Sequence, residues 1–362
     1  MSFYILLWGS LLLLFLWQER VKAKIPSFVL WSVLILLSVF IVGCRYQVGN
    51  DWESYKIFYY NGYAYDKSTG AMEPLFTLIR NICFSLGLSH GAFFAILSLF
   101  SFSLLVKTSE TFQLRNIYFV LFAYLSLFFC SFQFNIVRQG LLSACIWYAF
   151  SEKSVGHAYR ALLWVIIGCG FHISGLLFIP ILFFVDRKLP AILALIIIGG
   201  AYVCFFLNVS DKLISFFPFL QNMERAASYL NSSTDGYGLS IGMIFNTVLL
   251  VYSYKFLNIE YEKNVKLRIL MNSLLLALVM TCLFNSFYTL VSRIANVLNM
   301  ALVFFWPMFV LSFRKVYFRF GVKCCMMVYM FLYFNISINT KSDTTSMLPY
   351  KMRTEQLYRR MW

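Results

Sequence analysis

Charge is scarce in this 362-residue chain: Asp, Glu, Lys and Arg make up 12% of it, about half of the roughly 25% usual in a soluble globular protein. Histidine is scarcer still, with three residues, and only fifteen positions are acidic. The nine cysteines contain no C-x-x-C pair, and most lie inside apolar runs (Cys130, Cys145, Cys169, Cys204, Cys282). They read as small buried hydrophobes, which excludes a secreted disulfide scaffold. A phosphate-binding glycine loop, a dinucleotide-binding glycine pattern and a nucleophile elbow are all missing. These absences exclude a soluble nucleotide-dependent enzyme.

What is present is apolar: 61% of the residues, with a mean hydropathy of +0.75. A transmembrane helix needs about 20 such residues, and candidate spans run over 3–17, 26–43, 91–107, 116–132, 135–150, 190–207, 241–257, 268–285, 293–311 and 320–338. Two further segments are awkward, because 74–88 carries Arg80 and 160–185 carries His172 near its middle. The pattern predicts an all-α, polytopic transmembrane bundle of about 10–12 spans. One integral membrane domain is expected over 1–338, followed by a tail over 339–362. The stretch from Phe3 to Trp17 lacks a basic leader and reads as a retained first span.

The net charge of +15 would suggest nucleic acid on a soluble domain. In a membrane protein it first means cytoplasmic loops rich in Lys and Arg. Arg20, Lys22 and Lys24 mark the first loop as inside, and Arg314, Lys315, Arg319 and Lys323 form the strongest inside marker. In 44–73 and 208–240 acids outnumber bases, so both are expected outside. The count closes if 74–88 is a re-entrant or interfacial helix and 160–185 breaks near Phe171-His172-Ile173-Ser174-Gly175. Broken backbone at membrane depth needs protein or a watery cavity to satisfy it, so an outward-facing polar cavity is expected. The basic tail after 338 then falls outside, which fits the rule poorly.

With that topology Arg45, Arg80, Arg138, His172 and Arg293 all fall towards the outer leaflet. Ionisable groups there are costly and point to function. A guanidinium fork matches phosphate oxygens, which suits a lipid-linked phosphate or diphosphate; snorkelling or pairing with a carboxylate is the competing reading for each Arg. If 51–60 is helical, Asp51, Tyr55 and Tyr59 share a face, a carboxylate beside aromatics that suits a sugar. An interfacial aromatic belt is equally compatible with Tyr63 and Tyr65. Glu73-Pro74 reads first as a helix start. His172 suits a general base or a phosphate donor. No set of His, Cys and acids with metal-ligand spacing is visible around it, so neither metal nor cofactor is expected.

The run Arg45 to Tyr55 (RYQVGNDWESY), Glu73 to Phe76 (EPLF), Arg138-Gln139 within NIVRQGLLSA, FHISG around His172, Arg293 in SRIANV and Pro349-Tyr350-Lys351 together resemble the EpsG family of bacterial polysaccharide biosynthesis. That family includes Wzy-type O-antigen and capsule polymerases. Asn50 and Trp52 stand where it more often has Thr and Tyr. The resemblance implies a GT-C-like multi-pass protein of the bacterial inner membrane with its site facing the periplasm or exterior. It implies a metal- and nucleotide-independent glycosyltransferase acting on undecaprenyl-diphosphate-linked oligosaccharides. Arg138 and Arg293, with Arg45, would hold the diphosphate, Tyr55, Glu73 and Arg80 would line the substrate site, and His172 or Asp51 would serve as base. Its implied partners are the bilayer, a chain-length regulator and a flippase, with no role for nucleic acid.

Two rivals remain at this level. A flippase or transporter suits broken helices but predicts symmetry between halves, and no repeat is visible. A ligase of the O-antigen type would use the same outer cavity, and these residues do not separate it from a polymerase.

Overall fold

The computed structural model describes residues 2–21, 27–62, 72–210, 238–285, 288–339 and 347–352. Lys22, Lys24, Tyr63, Tyr65, most of 208–240 and the tail beyond Met352 fall outside them. Among the described residues the regular structure is helical, apart from one isolated bridge between Arg45 and Met352. Six helices are long and apolar enough to cross a membrane: Phe3–Val21, His90–Thr111, Ile117–Asn135, Val265–Leu283, Arg293–Ser312 and Val316–Asn339. The chain is an all-α, multi-pass membrane protein.

Shorter apolar helices cover Phe28–Gly43, Ala158–Cys169, Ala191–Phe206 and Ile241–Phe256. The helix Val137–Ser154 differs from the expected span over 135–150 in being polar at both ends. It is enclosed along most of its length, Ser143, Ser151 and Glu152 included. A helix covered by protein instead of lipid has no need of an apolar surface.

The chain forms two compact units, one of Met1–Ile179 with Trp306–Trp362 and one of Pro180–Phe305. In the first, α1 (Ser2–Val21) is followed by α2 (Ser27–Leu36), which continues as a π-helix over Leu37–Gly43. Then come α3 (Trp52–Asn61), α4 (Pro74–Ser85) and α5 (His90–Thr111). Next are α6 (Ile117–Tyr124), prolonged by a π-helix over Leu125–Asn135, and α7 (Val137–Ser154). Helix α8 (Ala158–Cys169) leads to a 3₁₀ turn at Ile173–Leu177. The unit closes with the long helix Val316–Asn339. Ser89 and Asn116 start α5 and α6 by accepting from Ala92 N and Phe119 N, the usual way to satisfy free helix-start N–H groups.

The helix over Ile117–Asn135 is the axis of this unit, with 89% of its spanning window buried. Along it Gln133 donates to the Tyr124 hydroxyl at 2.7 Å and to Ser101 at 3.3 Å. At one end the start of α1, the end of the Leu37–Gly43 turn and the segment 347–352 meet. Tyr4 donates to the Met347 carbonyl, Phe3 stacks on Tyr350 at 4.1 Å, and Tyr350 donates to the carbonyls of Phe40 and Ile41. Tyr46 N donates to Lys351 O at 2.9 Å. The Pro349-Tyr350-Lys351 segment thus lies at the same end as Arg45.

At the opposite end Gln18 bonds the Arg115 carbonyl and the Tyr118 N–H, and Lys323 pairs with Glu19. The basic residues Arg20, Arg115, Arg314, Lys315, Arg319 and Lys323 collect there. Charge is therefore sorted along the bundle axis: one end is basic, the other carries Arg45, Glu73 and Arg138.

In the second unit Ala191–Phe206, Ile241–Phe256, Val265–Leu283 and Tyr288–Asn299 pack together. Polar side chains join them: Tyr202 with Thr247 at 2.7 Å, and Asn246 with Asn299 at 3.3 Å. Asn272 donates to the carbonyls of Val185 and Arg187 and accepts from Tyr261.

A close helix approach in the first unit is at Gly43 and Gly91. A Cβ on Gly91 would run into the Gly43 carbonyl oxygen, and one on Gly43 would stand 3.0 Å from the Gly91 carbonyl. Both obstacles are backbone, so they cannot rotate away. Gly91→Ala is expected to cost about 1–3 kcal/mol, the usual cost of overpacking, read as a lowered thermal unfolding midpoint in detergent. Gly199→Ala, with open space around the site, should leave that midpoint unchanged or slightly raised.

Candidate functional site

The site begins where α8 stops. The expected break near Phe171–Gly175 is present: the α-helix ends at Cys169, and a 3₁₀ turn begins at Ile173. A break frees carbonyls, and a helix start elsewhere frees N–H groups. Here the two answer each other, since Leu75 N in the first turn of α4 donates to Gly170 O at 2.9 Å. Pro74, at the first position of α4, has no N–H to satisfy. Gly170 permits the approach, because a Cβ there would lie 2.9 Å from the Leu75 Cβ.

Glu73 is the N-cap residue of α4, yet its side chain does not cap its own helix. One carboxylate oxygen accepts from Ile173 N at 3.3 Å, on the far side of the break. The other meets Arg138 Nη1 at 2.5 Å, with the two side chains 12% and 27% exposed. In so little water a charge-assisted bond is strong. The carboxylate partner that Arg138 lacks within its own helix is supplied from 65 positions away. Tyr55 is a further hydrogen-bond partner of Arg138; burial raises its phenol above the ordinary value while the guanidinium pulls the other way. One cluster thus joins Tyr55, Glu73, Arg138 and the His172 segment.

His172 caps the 3₁₀ turn through its ring. Nδ1 accepts from Ser174 N at 3.2 Å and lies 2.8 Å from the Ser174 hydroxyl. A ring nitrogen that accepts from a backbone N–H carries no proton in the neutral imidazole, so the proton sits on Nε2. That tautomer presents a donor, which suits a phosphate oxygen better than a hydroxyl awaiting deprotonation.

Arg45 is enclosed, at 1% exposure. Its Nη1 donates to Phe134 O at 2.7 Å and to Val48 O at 3.3 Å, and the guanidinium lies about 5 Å from the ring centroids of Phe94 and Phe134. Burial pulls it down to about 10, still far above neutral pH. Beside it Asn50 N donates to the Asn135 side chain at 2.8 Å. Gly49 has φ +98, and a Cβ there would stand 2.7 Å from Phe134 O. The Arg45–Asp51 loop is thereby fastened to the turn that launches α7 and Arg138.

Asp51 stands just before α3, at its N-cap position, and is partly exposed. Both tyrosine rings turn inward, however: Tyr55 packs against Phe76 and Phe94, and Tyr59 against Phe93. Neither ring therefore offers Asp51 an open aromatic face. Arg80 donates Nε to Tyr59 O at 2.8 Å and lies over the Phe84 ring, 4.6 Å from its centroid, holding the last turn of α3. His90 carries no sequence signal beyond its rarity. It is buried against Trp52 and Tyr59, with Nδ1 3.4 Å from the Tyr60 hydroxyl.

Arg293 belongs to the second unit, on Tyr288–Asn299, and is partly exposed. No curated protein and no solved structure matches the chain. Its family is nevertheless shown, because the EpsG family profile matches residues 28–352 and so takes in every residue of the cluster. The chain belongs to the EpsG family.

Proposed function

We propose that the protein is a polymerase of undecaprenyl-diphosphate-linked oligosaccharide repeat units, working at the outer face of the bacterial inner membrane. The observation that carries this reading is Arg138, held by Glu73 beside the broken FHISG helix at the end of the bundle away from the basic loops. By the positive-inside rule the basic end is cytoplasmic, which turns the Arg138 end to the periplasm or exterior. On this reading α4, about 18 Å long at 1.5 Å per residue, dips into the outer leaflet and returns.

In the reaction, the hydroxyl oxygen of one lipid-linked repeat attacks the anomeric carbon of the glycan on another. The bond from that carbon to the diphosphate oxygen breaks, and undecaprenyl diphosphate leaves. Arg138 stabilises the charge that develops on the leaving group, in a partly desolvated site. His172 Nε2–H donates to a phosphate oxygen, and Asp51 takes the proton from the attacking hydroxyl. Glu73 keeps the Arg138 fork oriented, and a guanidinium has five donors to share between Glu73, Tyr55 and substrate. Arg45 and Arg80 act as positioning residues, through the loop before α3 and through the end of α3. Arg293 is assigned a second phosphate contact on sequence grounds.

Complementation of a deletion strain tests this reading. Arg138→Ala should lower chain elongation about 10²–10³-fold, leaving single repeats on lipid, and Arg293→Ala should act in the same direction. A full-length glycan ladder from both variants would sink the mechanism. Loss of glycan attachment with elongation intact would identify a ligase, and repeats retained inside would identify a flippase. A second test addresses Glu73. Glu73→Gln should slow elongation in the wild-type background and add little once Arg138 is Ala, because both changes remove one interaction. Additive losses would dismiss the orienting role.

A further inference from the structure

At the basic end of the first unit, a cavity of about 790 Å³ opens between the end of α1, the 112–116 turn, the stretch Pro307–Leu311 and the start of Val316–Asn339. Its size falls within the range of sites that hold a small molecule. Three cations line it, Arg115, Arg319 and Lys323, against one acid, Glu19. Lys323 is paired with that acid, and Arg319 donates to the carbonyls of Phe313 and Leu311. Arg115 is exposed and has no carboxylate partner among the described residues. Arg314 and Lys315 stand exposed in the adjoining turn. The net charge of the lining is therefore positive, and more positive charge lies at its rim.

The rest of the wall is apolar, with Phe15, Phe119 and Met308 among its members. The two helices that flank it, α1 and Val316–Asn339, are the least covered of the long helices, with 17% and 22% of their spanning windows buried. A cavity flanked by such helices is within reach of the surrounding lipid. A soluble anion has no use for the apolar wall, whereas an acyl chain does. Basic pockets between helices at a cytoplasmic membrane face suit anionic headgroups for this reason.

We propose that this cavity is a binding site for an anionic phospholipid of the cytoplasmic leaflet, its phosphodiester among Arg115, Arg319 and Lys323 and its acyl chains along Phe15 and Phe119. The site is at the opposite end from Arg138 and does not depend on the reaction assigned there. Its occupant fastens α1 to the helix Val316–Asn339, whose direct polar tie at this end is the Glu19–Lys323 pair.

Native mass spectrometry of the full-length protein tests the proposal, after release from nanodiscs of equal phosphatidylglycerol and phosphatidylethanolamine. Phosphatidylglycerol should be retained in preference. Arg115→Gln should lower its retention roughly five-fold, the contribution of one basic residue beside an anionic surface. Glu19→Gln should raise retention by removing the competing acid, a gain that misfolding does not produce. Equal retention of both lipids, or retention unchanged in Arg115→Gln, would overturn the proposal. So would displacement of the lipid by glycerol 3-phosphate, since the headgroup anion alone would then suffice.

Discussion

A guanidinium almost shut off from water organises one end of the first unit. Burying a charge is costly unless hydrogen bonds and polarisable neighbours replace its hydration. Arg45 Nη1 has the carbonyls of Phe134 and Val48, whereas Nε and Nη2 are buried without a hydrogen bond among the described residues and the guanidinium lies against the faces of two phenylalanines. Those carbonyls belong to the end of the central helix and to the loop before α3. Through the backbone at Arg45 and Tyr46 the same point also holds the segment 347–352. Three stretches far apart in sequence therefore share one anchor. Together with the bond from Asn50 N to the Asn135 side chain, it fixes the turn that leads into Arg138 and the loop that carries Asp51.

The cluster around Glu73 is built on the same economy of partners. A broken helix at Gly170 and a proline-led helix start at Pro74 each leave backbone groups unmet, and they meet each other. Glu73 then completes the join by reaching across the break and binding Arg138. Preorganisation of this kind suits a leaving-group site, because the donor is already aimed and partly desolvated before substrate arrives. His172 is fixed as well, with its tautomer set by the backbone of Ser174. Of the two roles open to it on sequence alone, donor to a phosphate agrees with that hydrogen bond, and for that reason the proposed mechanism gives the base to Asp51.

The helices are legible in the sequence because lipid demands apolar runs: 241–257 answers to Ile241–Phe256, and 26–43 to Ser27–Gly43. The interruption at His172 is legible too, since a polar residue midway along an apolar run is costly in lipid unless the helix breaks or a cavity receives it. Periodicity gives no sign of the π-helical turns that end at Gly43 and Asn135, which need tertiary packing to persist. Nor does it reveal the Glu73–Arg138 pair, whose members face each other only once α4 docks on the break. Arg45 reads as a ligand because it follows a span; its burial depends on Phe94 and Phe134, which no local pattern connects to it. The inward turn of Tyr55 and Tyr59 is of the same kind. A shared helix face is readable from spacing, whereas its direction is set by the aromatic rings it packs against.

The overall charge also acquires a division of labour. The basic end holds the Lys and Arg expected of cytoplasmic loops, together with a cavity that suits an anionic headgroup. In the proposed mechanism the small remainder at the other end positions the site at Arg45 and Arg80 and acts chemically at Arg138. That last assignment is tested most directly with purified protein in liposomes supplied with a lipid-linked repeat unit and no nucleotide sugar. One undecaprenyl diphosphate should be released for each glycosidic bond formed, and almost none from Arg138→Ala. Release undiminished in that variant, or glycan growth without release of the diphosphate lipid, would contradict the role assigned to Arg138.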